Sequence, residues 1–400
     1  MACSRSSANA DRTWSEGAVL TDNKMTPNAP IRVVFNAIHA RSGGGITYVM
    51  NLLPALAASA AFDVHIIIHV SQYARFAELD ERVRIHVVDF KESTLFSLLW
   101  EQIPLVYMIR DMKPDVVVSP ANYGPLFMKN HIIVLQNSLA VGAHETRFKK
   151  KIYWSLLGLM TKMSLLTSKA AVAVSHYVLK TVLSQPMRGE GKVRVIHHGV
   201  EDIFCPATER RGDFLLAVGD LYVQKNFETL IRAVAIVKKE FSDIKLVVAG
   251  SYLDAEYCDF IFSLVKELSL QDNVQFLGHC QKEKLIELYA NCRVFVFPSV
   301  EESFGMPVVE AMASGCAVAC SNFAAMPEVA GDAVVYFDPT DAQDMSKAIV
   351  RLWAHADLRA EHSAKALERA KLFSWQRAAA DFGDLAQKVA GRNWRADGPA

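Results

Sequence analysis

Nothing in the 400 residues amounts to an apolar run of about 18, so no segment reads as a membrane-spanning helix. The seven cysteines include no CxxC pair, and the twelve histidines form neither HExxH nor a Cys/His cluster. No Asp-x-Asp stands near the end of an apolar run. These absences exclude the common metal-ligand spacings, and no metal site is expected. Low-complexity tracts are missing too, and the formal net charge is zero. No nucleic-acid partner is therefore expected. Residues 1–29 lack the apolar stretch of a secretion signal and read as a flexible tail. The cysteines sit mostly in apolar runs such as ANCRVFVF and SGCAVACS, as reduced small hydrophobes do, so the expected location is cytoplasmic.

What the chain does have is apolar content, 51 % hydrophobic against 22 % charged, in a length that exceeds one core. The zero net charge conceals a split. Residues 1–200 carry 22 Lys and Arg against 14 Asp and Glu, and residues 201–400 carry 21 against 29. Two domains with different partners would produce this, the basic one nearer an anionic surface or substrate. Uneven surface charge without a role is the alternative.

Short β-branched runs alternate with helical stretches. IRVVFNAI, FDVHIIIHV, VRIHVVDF, DVVVSP, HIIVLQN, AAVAVS and VRVIHHG read as strands of a parallel sheet covered on both faces. GITYVMNLLPALAASA and TLFSLLWEQIPLVYMIRDM read as helices between them. After the polar break FCPATERRGD the pattern restarts, with FLLAVG, IKLVVAG, VQFLG, VFVFPS, AVACS and AVVYFD as strands. This α/β order predicts two Rossmann-like doubly wound domains facing a central cleft. The boundaries are a tail at 1–29, a first domain at 30–205, a second at 206–372, and a crossover helix and tail at 373–400.

The stretch SVEESFGMPVVEAMASG follows one of these strands. Pro307 suits the first turn of a helix, and Gly305 permits close backbone approach. The start of that helix offers free N–H groups to an anion such as a diphosphate. Carboxylates accept hydrogen bonds, so Glu302 and Glu310 suit sugar hydroxyls at either end of such an anion, a hexose and a ribose. Alternatively Glu310 complements the helix dipole while Glu301 and Glu302 are solvated.

ESFGMPVVE matches the E-x7-E pattern of retaining glycosyltransferases of the GT-B fold and resembles glycosyltransferase family 4, the glycosyl transferases group 1. AVGDLYVQKNFETLIRA, VRVIHHGVEDIFCP, VQFLGHCQKEKLIELYANCRVFVFPS and MPEVAGDAVVYFDP resemble further family segments, over most of residues 31–380. The resemblance implies transfer of a sugar from a nucleoside diphosphate donor, as co-substrate and without a cofactor. The acceptor would be a glycan or lipid-linked saccharide of cell-surface polysaccharide or lipopolysaccharide assembly, and mannose and rhamnose are among the candidate sugars. It makes Glu302 and Lys225 catalytic. It also places Glu310, Phe304, Gly305, Met306, Val308, Lys225, Gly44 and Gly45 at the nucleotide sugar. The family's Arg five residues before the Lys is replaced by Asp220, which leaves one phosphate-binding cation unaccounted for. Gln136 and Asn137 stand where some relatives have a His and are acceptor-side candidates. A sugar-nucleotide epimerase of the same fold and a non-catalytic sugar-nucleotide-binding subunit are the rival readings. Residues 146–169 begin basic and continue leucine-rich, as a helix resting on the inner leaflet of a membrane does, or as one packed on the first sheet.

Overall fold

The computed structural model describes residues 29–40, 43–91, 93–137, 148–183, 192–207 and 212–392; of the tail expected at 1–29, residues 1–28 lie outside them. Strands rich in Val, Ile and Ala form two all-parallel sheets. The first contains β1 (Ile31–Asn36), β2 (Phe62–His69), β3 (Arg84–Val88), β4 (Val116–Ser119), β5 (His131–Leu135), β6 (Ala170–Ala173) and β7 (Val193–Val195), in the order β3-β2-β1-β4-β5-β6-β7. The second contains β8 (Leu215–Val218), β9 (Leu246–Ala249), β10 (Val274–Gly278), β11 (Val294–Phe297), β12 (Val318–Ser321) and β13 (Val335–Phe337), in the order β10-β9-β8-β11-β12-β13. Each sheet reverses its winding once, between β1 and β4 and between β8 and β11. Crevices for ligands open at the carboxyl ends of strands beside such reversals.

The first sheet is joined by α1 (Gly44–Ala57), α2 (Tyr73–Phe76), α3 (Thr94–Gln102), α4 (Pro104–Asp111), α5 (Phe148–Thr167) and α6 (His176–Leu183). The second carries α7 (Phe227–Val237), α8 (Ala255–Glu267), α9 (Lys282–Asn291), α10 (Met306–Ala313), α11 (Met326–Ala330), α12 (Ala342–Ala354) and α13 (Ala356–Ala370), and α14 (Trp375–Ala390) closes the chain. One expected helix is two: TLFSLLWEQIPLVYMIRDM breaks at Ile103, whose φ of −123° and ψ of −73° are not helical. Pro104 is the cause, because its ring crowds the residue before it and it has no N–H to donate. Several first-sheet strands end earlier than expected. Gln136, Asn137, His197 and His198 belong to loops at the carboxyl ends of β5 and β7, where the chain turns toward the cleft.

Helix α14 returns to the first lobe. Its buried stripe Trp375, Ala378, Ala379, Phe382, Ala386 and Val389 recurs at helical spacing and packs the Phe382 ring 5.7 Å from Phe35 of β1. Lys169 donates to the Val389 carbonyl at 2.7 Å, and Arg194 pairs with Asp381 at 2.9 Å. The outgoing and returning crossings touch. A Cβ on Gly199 would lie 2.1 Å from the Trp375 nitrogen, so only glycine fits there. Phe382→Ala is expected to cost about 3–5 kcal/mol, as emptied aromatic sites do. Urea unfolding monitored on the first lobe would register it, and an unchanged midpoint would mean that α14 does not brace that lobe.

Candidate active site

The loop between β11 and α10 is tied to its neighbours before any ligand arrives. Val300 N–H donates to the Gln224 carbonyl at 3.0 Å. Asn226, left-handed at φ 55°, donates its amide to the carbonyls of Pro298 and Pro339 at 3.0 and 2.7 Å. The Lys-Asn pair thus divides its work: the amide stitches the two loops together, and the ammonium beside it reaches Glu302 at 2.5 Å. Both partners of this ion pair are largely buried, 12 % and 15 % exposed. Burial alone would lower the Lys225 pKa, but the Glu302 carboxylate, with help from Tyr222 and Asp220, holds it well above the ordinary lysine range.

Gly305 precedes α10 at φ +83°, and a Cβ there would meet the Met326 methyl at 2.3 Å. The close approach expected of this glycine is therefore made by a side chain of the protein itself. No side chain caps the α10 N-terminus, Pro307 sits in its first turn, and Met306 is half-buried beside it. Phe304 and Val308, expected at the nucleotide sugar, have buried side chains. Phe304 packs 5.0 Å from His198 and 5.5 Å from Phe373, so only its backbone is placed to serve a ligand. Glu310, one turn into α10, accepts a hydrogen bond from the buried Tyr289 hydroxyl at 2.9 Å. Burial raises the Glu310 carboxyl to about 7, and the Tyr289 hydrogen bond offsets only part of this.

Glu301 is not solvated. It is 9 % exposed and accepts the Tyr177 hydroxyl of α6 on both oxygens, at 2.9 and 2.8 Å. Next to it the Ser303 carbonyl accepts from Ser175 at 2.6 Å. A second carboxylate crosses between the lobes: Glu328 of α11 accepts the N–H groups of His176 and Tyr177 at 2.8 and 3.0 Å, and His197 at 2.7 Å. The α6 N-terminus and these donors hold its pKa below the usual carboxylate range, although burial works the other way. His198 is packed against Tyr48, Trp375 and Phe304, and burial pushes its pKa down to about 3. The acidic loop is therefore gripped from the opposite lobe, an arrangement that no local pattern announces.

Asp220 takes no part in the ion pair's hydrogen bonds; it accepts the Ser251 N–H at 2.8 Å and fastens the loop after β8 to the loop after β9. In the first lobe, Gly43 at φ 57° leads into α1, and Gly44 and Gly45 form its first turn with no capping side chain. A Cβ on Gly44 would lie 4.0 Å from the Gln136 amide oxygen, so these two candidates share one corner of the cleft. Asn122 accepts the N–H groups of Gln136 and Asn137 at 2.7 and 3.0 Å and holds that loop. The Gln136 amide nitrogen is buried with no partner among the described residues. Asn137 is exposed. Among the described residues, no three His, Cys, Asp or Glu side chains gather in a way that could hold a metal ion.

Residues 203–369 match the family described as glycosyl transferases group 1, and residues 42–202 match glycosyltransferase family 4. The chain is 34 % identical over 163 residues to O-antigen chain mannosyltransferase B of Escherichia coli, covering 41 % of this chain and 42 % of that one. It is 27 % identical over 316 residues to O-antigen chain mannosyltransferase RfbU of Salmonella typhimurium, covering 77 % and 82 %. The match thus spans less than half of the first relative and most of the second. Anabaena HepE, solved with UDP and glucose, superposes with a TM-score of 0.72 at 14 % identity over 90 % of this chain and 100 % of that one, a likeness of fold.

The raised Glu310 pKa has a consequence for stability. Its contribution is fully present below the unfolded value of 4.5 and is lost as pH rises through about 7. Glu310→Gln escapes that loss. Its stability advantage over the unsubstituted protein should grow between pH 4.5 and 7, to at most ~3 kcal/mol. Chemical unfolding at pH 5 and pH 8 measures it, and a difference that ignores pH would mean that Glu310 is not desolvated.

Proposed function

Because the chain belongs to the glycosyl transferases group 1, glycosyltransferase family 4, with the GT-B architecture, we propose that it transfers a hexose, mannose foremost, with retention and without a metal. The donor is a nucleoside diphosphate sugar. The acceptor is a glycan or lipid-linked saccharide of O-antigen or similar polysaccharide assembly. The observation that carries the reading is the Lys225–Glu302 pair beside the uncapped start of α10.

An arriving diphosphate competes with Glu302 for the ammonium and finds N–H groups at the helix start. That leaves the Glu302 carboxylate to hold hexose hydroxyls, while Glu310 takes the ribose. Lys225 stays charged throughout, so it stabilises the negative charge that grows on the leaving diphosphate. The departing phosphate oxygen accepts the proton of the attacking hydroxyl on the face it vacates, which removes the need for a separate base. Closure of the lobes keeps water from intercepting the donor.

The first lobe also has a surface suited to an anionic leaflet. Among the described residues no helix is long and apolar enough to cross a membrane. Yet Leu159, Met163 and Leu166 of α5 are exposed, as are Leu99, Ile103, Tyr107 and Phe127. Gln102 donates to the Gly124 carbonyl and Gly124 to Ser164, which brings α3, that loop and α5 together. Exposed Arg110, Lys113, Lys129 and Lys169 add positive charge to the same lobe. The side chains of Lys149, Lys150 and Lys151 lie outside the described ones.

Two measurements test this function. GDP-mannose at 100 times its Kd should stabilise the protein by ~2.7 kcal/mol, and Lys225→Ala should cut transfer about 10²–10³-fold. A panel of sugar nucleotides that leaves the melting temperature unmoved, or undiminished turnover in Lys225→Ala, counts against it. Phe127→Ser with Leu159→Ser should lower co-sedimentation with phosphatidylglycerol vesicles, and equal pelleting removes the leaflet from the proposal.

A further inference from the structure

A second group of polar side chains lies in the first lobe, apart from the donor residues. Glu101 of α3 is fully buried, and both its oxygens are engaged by the segment that begins at the end of β1. Asn36, the last residue of β1, donates its amide to Oε1 at 2.5 Å, and His39 Nε2 lies 3.3 Å from Oε2. The contact is satisfied when Nε2 carries the hydrogen and the Glu101 oxygen accepts it. In the neutral imidazole, that tautomer leaves the lone pair on Nδ1. The ring keeps 14 % of its surface exposed, and Nδ1 has no partner among the described residues.

The same helix end fastens the loop that follows β4. Gln102 accepts the Leu126 N–H at 2.9 Å and donates to the Gly124 carbonyl at 3.4 Å. Tyr123 of that loop places its ring 5.0 Å from the His39 ring, inclined at 51°. His39, Tyr123 and Gln136 thus follow β1, β4 and β5, three neighbouring strands at the winding reversal, all at their carboxyl ends. Burying a carboxylate is costly unless it is hydrogen-bonded, and here its partners are an amide and a histidine beside an aromatic ring. An aromatic face next to a hydrogen-bond acceptor suits a pyranose, which has apolar C–H faces and hydroxyl donors.

We infer that His39, with its tautomer set by Glu101, is an acceptor-binding residue whose Nδ1 receives a hydrogen bond from a hydroxyl of the incoming saccharide against Tyr123. This rests on the glycosyl-transfer reading and assigns the acceptor's place within it. Glu101 is a positioning residue. His39 takes no proton in the reaction, which remains the work of the leaving phosphate.

The test measures release of GDP from GDP-mannose with and without methyl α-D-mannopyranoside as the acceptor probe. The saccharide should stimulate release by the unsubstituted protein. His39→Ala should raise the KM for the saccharide about tenfold, the equivalent of one lost hydrogen bond. Hydrolysis without saccharide and the thermal shift with GDP-mannose should not move. His39→Asn, whose amide oxygen can stand in for Nδ1, should restore most of the loss. Glu101→Gln should fall between, because an amide can donate to Nε2 and favour the other tautomer. Unaltered saccharide kinetics in His39→Ala overturn the inference, as does a His39→Asn enzyme no better than His39→Ala. An equal fall in hydrolysis and transfer would assign the residue to donor binding or folding instead. No stimulation of the unsubstituted protein by the probe rules out a pyranoside of this kind at the site. A protein that neither binds nor hydrolyses any sugar nucleotide defeats the glycosyl-transfer reading itself, a result distinct from the others.

Discussion

The buried pair of Lys225 and Glu302 is the interaction on which the second lobe's cleft face depends. Two opposite charges removed from water hold each other only at short range and with good geometry. The geometry is supplied by backbone and amide bonds that stitch the loop after β8 to the loop after β11. The pair also explains how a cation can wait charged in a site from which water is largely excluded. The carboxylate beside it keeps the ammonium protonated despite its burial.

A second constraint is that the acidic loop belongs to two lobes at once. Glu301 and Ser303 are bound by Tyr177 and Ser175, and Glu328 receives the start of α6 together with His197. These contacts surround the donor loop with groups from the first lobe. Movement of the lobes would therefore be felt directly at Glu302, its neighbour in the chain. The two crossings between lobes meet at Gly199 and Trp375.

Seen together, the two lobes divide the chemistry by charge. The second gathers carboxylates, an ammonium and an uncapped helix start at the carboxyl end of β11. The first offers amides, a carboxylate-backed histidine and an aromatic ring at the carboxyl ends of β1, β4 and β5, with basic and apolar side chains elsewhere on its surface. Asp220 serves as a loop fastener, accepting the Ser251 N–H.

The order of strands and helices, the doubling of the sheet and the place of ESFGMPVVE between a strand end and a helix start could all be read along the chain, because each rests on local periodicity or on residues within nine positions of one another. Pro104 likewise carried the signal for the break before α4. What the linear pattern could not convey were pairings across long separations: Tyr177 with Glu301, His197 with Glu328, and Glu101 with Asn36 and His39. It also could not tell that Phe304 and Val308 turn into the core, since a motif specifies residue types and not side-chain direction. Two parallel sheets and a loop running into a helix start are written in local pattern, because hydrophobic period and helix-start chemistry are local. Which carboxylates are buried and which are paired came with the fold, because desolvation and hydrogen bonding depend on neighbours that the chain brings together only when folded.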